Sequence, residues 1–176
     1  MDSNWVDHVW LAADRTEVRQ AVGELYAQVQ REIDQRRPRC EMSGRCCKFE
    51  EYGHRMFITT IELAVFAHEL KTRFGPDHLR QSFAAWNGSG CPFQSGKLCG
   101  VHSFRPFGCR IFFCDPTSTQ WQQERYELFH AQLKDLHVTF DVPYAYIEWR
   151  NALQMLLTDP RGHHGVDHAA DVARTI

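Results

Sequence analysis

Apolar side chains recur at helical spacing over most of this chain. Val18, Val22, Leu25, Tyr26, Val29 and Ile33 share one side of a helix predicted over residues 15 to 36. Asp14 with Glu17 reads as a capping pair at its start. Arg36, Arg37 and Arg39 suit its negative end, and Pro38 terminates it. A shorter helix over 3 to 12 carries Trp5, Val9 and Trp10. Thr59 and Glu62 have the capping-box spacing for a helix over 60 to 73, with Leu63, Phe66, Ala67 and Leu70 as its apolar face. Gly75-Pro76 ends it, and a further helix follows over 77 to 86. Two more are predicted: one over 118 to 136, and one that Pro143 opens, running to 157 through Tyr146, Ile147, Leu153 and Leu156.

The middle of the chain breaks this pattern. Residues 40 to 54 are irregular, with Gly44 and Gly53, and residues 56 to 59 read as a short strand. Cys91 to Val101 reads as a tight hairpin turning at Ser95-Gly96. All seven cysteines lie in this middle: Cys40, Cys46 and Cys47, then Cys91, Cys99, Cys109 and Cys114. The expected architecture is mainly α, with helices packed around an irregular cysteine-rich metal-binding centre and a short hairpin. Residues 1 to 157 are expected to form a single domain with a cysteine-cluster core at 40 to 114. Residues 158 to 176, which include His163, His164 and His168, are expected to be a flexible polar tail.

Composition narrows the function classes. The chain has 176 residues and a formal charge of −2, from 20 basic and 22 acidic side chains. No basic stripe points to nucleic acid, and no apolar run is long enough to span a bilayer. The first residues lack the basic and apolar regions of a signal peptide. The expected location is the cytoplasm. In that reducing compartment clustered thiols bind metal or react more often than they pair structurally.

Thiolates select soft or borderline metals: zinc, iron–sulfur or copper(I). Successive cysteines are separated by 5, 0, 43, 7, 9 and 4 residues, so no Cys-x-x-Cys occurs. That spacing counts against zinc ribbons and fingers. Adjacent Cys46 and Cys47 suit a cluster of several metals better than one ion, which favours an iron–sulfur cluster of the 4Fe–4S type, with zinc as the alternative. His102, three residues after Cys99, is the best histidine candidate for a ligand. Arg105 and Arg110 are candidates to offset the charge of the centre. Phe104, Phe107, Phe112 and Phe113 would exclude water.

The pattern Cys40-x5-Cys46-Cys47, Thr-x-x-Glu, Cys91-Pro-Phe, Cys99-x2-His102-x2-Arg105-Pro106-x2-Cys109-Arg110-x-Phe112-x-Cys114 resembles the YkgJ-type cysteine-cluster family. The resemblance covers residues 40 to 114 and implies a zinc- or iron-chelating domain. Ser43 stands where members usually carry another cysteine, and His102 where many carry tyrosine. A similar cluster in a flagellin lysine methylase implies that such a domain can serve a modifying enzyme, but no Gly-rich nucleotide loop occurs here.

Three functions are therefore expected to compete. The first is an iron–sulfur protein in electron transfer or an iron–sulfur oxidoreductase, with a redox or protein partner. The second is a zinc-stapled structural module that binds a partner. The third is a cluster-containing protein-modifying enzyme.

Overall fold

A computed structural model describes residues 5 to 159. The expected tail and its histidines lie outside the described residues, apart from positions 158 and 159. The fold is mainly α-helical with two small antiparallel strand pairs. Helix α1 (Trp5–Asp14) lies on α4 (Thr60–Phe74) and α2 (Thr16–Arg36). The apolar stripe of α2, from Val18 to Ile33, is buried. The Asp14–Glu17 capping pair does not form. Arg15 is the N-cap, without a side-chain cap, and its guanidinium reaches Glu17 at 2.8 Å. At the other end Arg37 adopts the left-handed conformation and donates its N–H to Ile33 O, closing the helix before Pro38.

The irregular stretch contains a 3-10 turn at Arg45–Cys47 and a one-turn helix, α3 (Phe49–Tyr52). Strand β1 (Phe57–Thr59) then leads into α4 and α5 (His78–Ala85). The hairpin is present as β2 (Gln94–Ser95) and β3 (Leu98–Cys99). Helix α6 (Phe107–Ile111) carries Cys109, and α7 (Thr119–Thr139) packs on α2 and α6.

The end of the chain differs from the helical reading. Pro143 opens no helix. Residues Tyr146–Glu148 form strand β4, paired with β1 in the register Phe57↔Glu148, Ile58↔Ile147 and Thr59↔Tyr146. The exposed ends of β1 needed partners, and the β-branched and aromatic residues before Glu148 supply them. Glu148, whose carboxylate accepts from Asn151 N–H, is the true cap of α8 (Trp149–Thr158). Trp149, 1% exposed, meets Phe66 edge-on with ring centres 4.8 Å apart at the centre of the core. Among the described residues no helix is long and apolar enough to cross a membrane.

The capping box of α4 does more than start a helix. Glu62 Oε2 accepts from Thr59 N–H at 3.1 Å and from the Thr59 hydroxyl at 2.9 Å. Its other oxygen accepts from the Tyr26 hydroxyl of α2 at 3.1 Å and from Phe107 N–H, the first residue of α6, at 2.8 Å. Burial pushes this carboxyl up, and the Phe107 and Thr59 donors pull it back. Glu62 thus ties α4, α2 and α6 together. Glu62→Ala should cost roughly 3–5 kcal/mol, because several buried donors lose their acceptor at once. Urea unfolding of the variant measures this.

Candidate functional site

Two loops bring the central thiols together. Cys91 N–H donates to Cys47 O at 2.8 Å. Glu50, one turn beyond Cys47, accepts from Gly90 N–H at 2.7 Å and from the Ser89 hydroxyl at 3.2 Å. Arg150, on α8, grips the same carboxylate and also Glu148. These donors, Gly90 N–H foremost, hold the Glu50 carboxyl down at about 2. Gly90 is required twice over. Its φ is +66°, and a Cβ there would sit 2.5 Å from Cys47 O. On the opposite side Gln94 Nε2 donates to Gly44 O at 3.1 Å, which seats the β2–β3 hairpin against the Arg45–Cys47 turn.

The result is a group of four thiols centred on Cys47. Its S–H lies in hydrogen-bond contact with the sulfurs of Cys46, Cys91 and Cys99. One S–H cannot serve three acceptors at once, so the three compete for it. The Cys47 thiol is pushed far up, first by its role as donor to Cys46. Cys46 is pulled down to about 6 by that hydrogen bond, with help from the Arg105 guanidinium. Cys99 is pulled down to about 7 by Cys47, again with help from Arg105. The hydrogen bond from Cys47 also lowers Cys91, but that residue is buried beneath the other two, where negative charge is costliest. Negative charge therefore settles on Cys46 and Cys99, which are partly exposed.

The remaining sequence candidates lie around this group. Cys109 reaches solvent in part, yet burial pushes its thiol well up. Burial also raises Cys114, which bonds to Ser43. Cys40 is exposed on the rim of the same cleft. The His102 ring is held below its usual range by desolvation and by the nearby Arg105 and Arg110 charges. Arg105 faces Cys46 and Cys99 electrostatically. Arg110 instead lies 4.4 Å from the centre of the Tyr26 ring and donates to Ser103 O at 3.1 Å. The cleft has a volume of about 430 Å³, with Cys40, Cys46, Cys47, Cys99 and Cys114 among its walls.

Several residues that build the site have roles the sequence does not show: Glu50, Arg150 and Trp149 carry no site signal, and His54 reads there only as a weaker ligand candidate than His102. Glu50 and Arg150 are 100 positions apart and join through the fold alone. His54 sits 3.3 Å from Cys46 O and stacks on Phe112 at 4.9 Å, so it braces the cysteine turn. Trp149 lies beside Cys91 beneath the thiol group. The sequence signal among them was the position of His54 just after the first cysteine group, which suggested a ligand and not the brace it is.

These positions overturn the metal readings. Among the described residues no group of three or more His, Cys, Asp or Glu could hold a metal ion. The thiols meet one another through Cys47 and do not converge on a shared centre. Cys40, Cys114 and His102 line the same cleft and Cys109 lies near enough to feel the charges of Cys91 and Cys99, yet among the described residues they join no ligand group. The donors thus fit neither a 4Fe–4S cluster nor a zinc ion. The expected cysteine-rich metal-binding centre of the fold is not formed, and the helices enclose a thiol group instead. An iron–sulfur electron-transfer protein or oxidoreductase, a zinc-stapled module and a cluster-containing modifying enzyme all lose the geometry they required.

Gly90→Ala tests how the two loops are joined. The added methyl collides with Cys47 O at a backbone conformation that side chains rarely adopt. The variant should lose more than about 1 kcal/mol of stability. Its Cys46 thiol should also titrate at higher pH as the Cys47 turn is displaced. Thermal unfolding and a thiol-alkylation pH profile report the two effects.

Compared with known proteins, the chain matches no family model, no curated protein and no solved structure. The resemblance to the YkgJ-type cysteine-cluster family is therefore not supported, either by a family match or by the metal geometry such membership requires.

Proposed function

We propose that the thiol group around Cys47 is a metal-free centre for thiol–disulfide exchange, with Cys99 as nucleophile and Cys47 as the resolving thiol. The observation that carries this reading is the gathering of Cys46, Cys47 and Cys99 on the wall of one open cleft, where the thiols set one another's acidity. Two physical arguments assign the roles. An attacking thiol works best when its pKa lies near ambient pH, and Cys99 is held at about 7. Adjacent Cys46 and Cys47 cannot pair without distortion, because neighbouring Cα atoms are about 3.8 Å apart, closer than the usual disulfide span.

The steps balance. The Cys99 thiolate attacks one sulfur of a substrate disulfide and expels the other as a thiolate. The Cys46 thiolate then accepts the Cys47 proton as Cys47 begins its attack, so no free Cys47 thiolate is needed. Cys47 attacks the Cys99 sulfur and expels the second substrate thiolate. The substrate has gained two electrons, and a Cys47–Cys99 disulfide holds the oxidised state. A second thiol must reduce that disulfide to reset the centre. The cytoplasm supplies such thiols, and the reading places the protein there, with a thiol-bearing partner and without nucleic acid. Arg105 favours both thiolates by its charge.

Alkylation followed by peptide mass spectrometry tests the assignment. Labelling of Cys99 should rise through pH about 7 and that of Cys46 through pH about 6. A small disulfide should produce a Cys47–Cys99 linkage in the native chain. Cys47→Ser should stop at a mixed disulfide on Cys99. Cys46→Ala should slow resolution roughly tenfold, as the proton acceptor is lost. If Cys99 stays reduced, or the linkage forms elsewhere, the assignment is wrong.

A further inference from the structure

The cleft that exposes Cys99 gathers three basic side chains, Arg45, Lys97 and Arg105, in a chain whose overall charge is −2. Lys97 lies two residues before Cys99 on the hairpin turn, and Arg45 opens the cysteine turn. Arg105 and His102 complete that wall. Among the described residues lining the space, Glu41 is the sole acidic one. Several basic residues elsewhere are paired with carboxylates, as in Arg15–Glu17, Lys48–Glu51, Arg73–Glu69 and Arg150–Glu50. Among the described residues neither Lys97 nor Arg105 has a carboxylate partner, and the buried Arg105 Nε has no hydrogen-bond partner. Arg45 rests on the Tyr52 ring at 5.3 Å with its charge still uncompensated by a direct pair.

Apolar surface adjoins these charges. Met42 and Leu98 are 71% and 66% exposed on either side, and Phe112 and Phe113 line the inner end. The volume of about 430 Å³ is at the small end of the range for small-molecule sites. From this juxtaposition of unmatched cations, apolar flanks and the Cys99 thiol, we infer that the cleft takes a low-molecular-weight disulfide bearing carboxylates. The inference rests on the exchange reading above and names its substrate class. Arg105 serves the thiolates, which leaves Lys97 and Arg45 to meet the carboxylates of the incoming molecule. The reaction is the exchange already written: the Cys99–sulfur bond forms, the substrate sulfur–sulfur bond breaks, and a carboxylate-bearing thiolate leaves.

The test compares three disulfides of different charge: oxidised glutathione, neutral 2-hydroxyethyl disulfide and dicationic cystamine. Each rate with the full chain is divided by that disulfide's rate with a free small thiolate, which removes intrinsic reactivity. The anionic disulfide should be favoured over the cationic one roughly tenfold at low salt. The preference should shrink as ionic strength rises past about 0.1 M, where the screening length falls to about 10 Å. Lys97→Glu and Arg45→Glu should each erode or reverse it. Equal normalised rates for all three, or a preference untouched by both reversals, would overturn the inference and leave exchange at Cys99 standing. Failure of every disulfide to react at Cys99 would overturn the exchange reading and this inference together.

Discussion

A buried carboxylate holds the cysteine-bearing half of the molecule to its helical half. Glu62 caps its own helix, receives the hydroxyl of Tyr26 and accepts the first N–H of α6. An ionised group taken from water requires such compensation. Here that compensation fixes geometry, because each donor belongs to a different element. Helix α6 has only five residues and could not hold its position through its own hydrogen bonds. Its orientation, and with it the position of Arg105 and Cys109, follows from being moored to α4 and α2.

The thiol group is built on the same logic at a second place. A carboxylate on α3, Glu50, receives the Gly90 N–H and the Arg150 guanidinium, so that Cys47 and Cys91 are pressed together by polar ties around them. The thiols then set one another's chemistry. One proton on Cys47, shared among three sulfurs, allows Cys46 and Cys99 to be charged at neutral pH while Cys91 stays deep beside Trp149. Burial, hydrogen bonding and one guanidinium divide the cysteines into distinct chemical roles, although all carry the same side chain.

Much of the helical framework was legible in the chain. The stripe of α2, the Thr59–Glu62 cap and the turn at Ser95-Gly96 are local signals, and local hydrogen bonds and packing realise them. The strand at Tyr146–Glu148 was misread as helix because its pairing with β1 is non-local, and Tyr146 and Ile147 fit either period. The capping pair at Asp14 failed because Arg15 engaged Glu17 instead. At the site, spacing marked the cysteines but could not show whether their sulfurs surround a vacant point or meet one another. That distinction depends on the Gly90 conformation and on ties such as Glu50–Arg150, which leave no periodic trace.

The distance in sequence between Glu50 and Arg150 also has a consequence for biosynthesis. The chain leaves the ribosome from its N-terminus at about 5–20 residues per second. Cys46 and Cys47 are therefore made on the order of ten seconds before the arginine that braces their loop. During that interval the nascent Cys46–Cys47 loop lacks the Glu50–Arg150 tie that braces it in the finished fold.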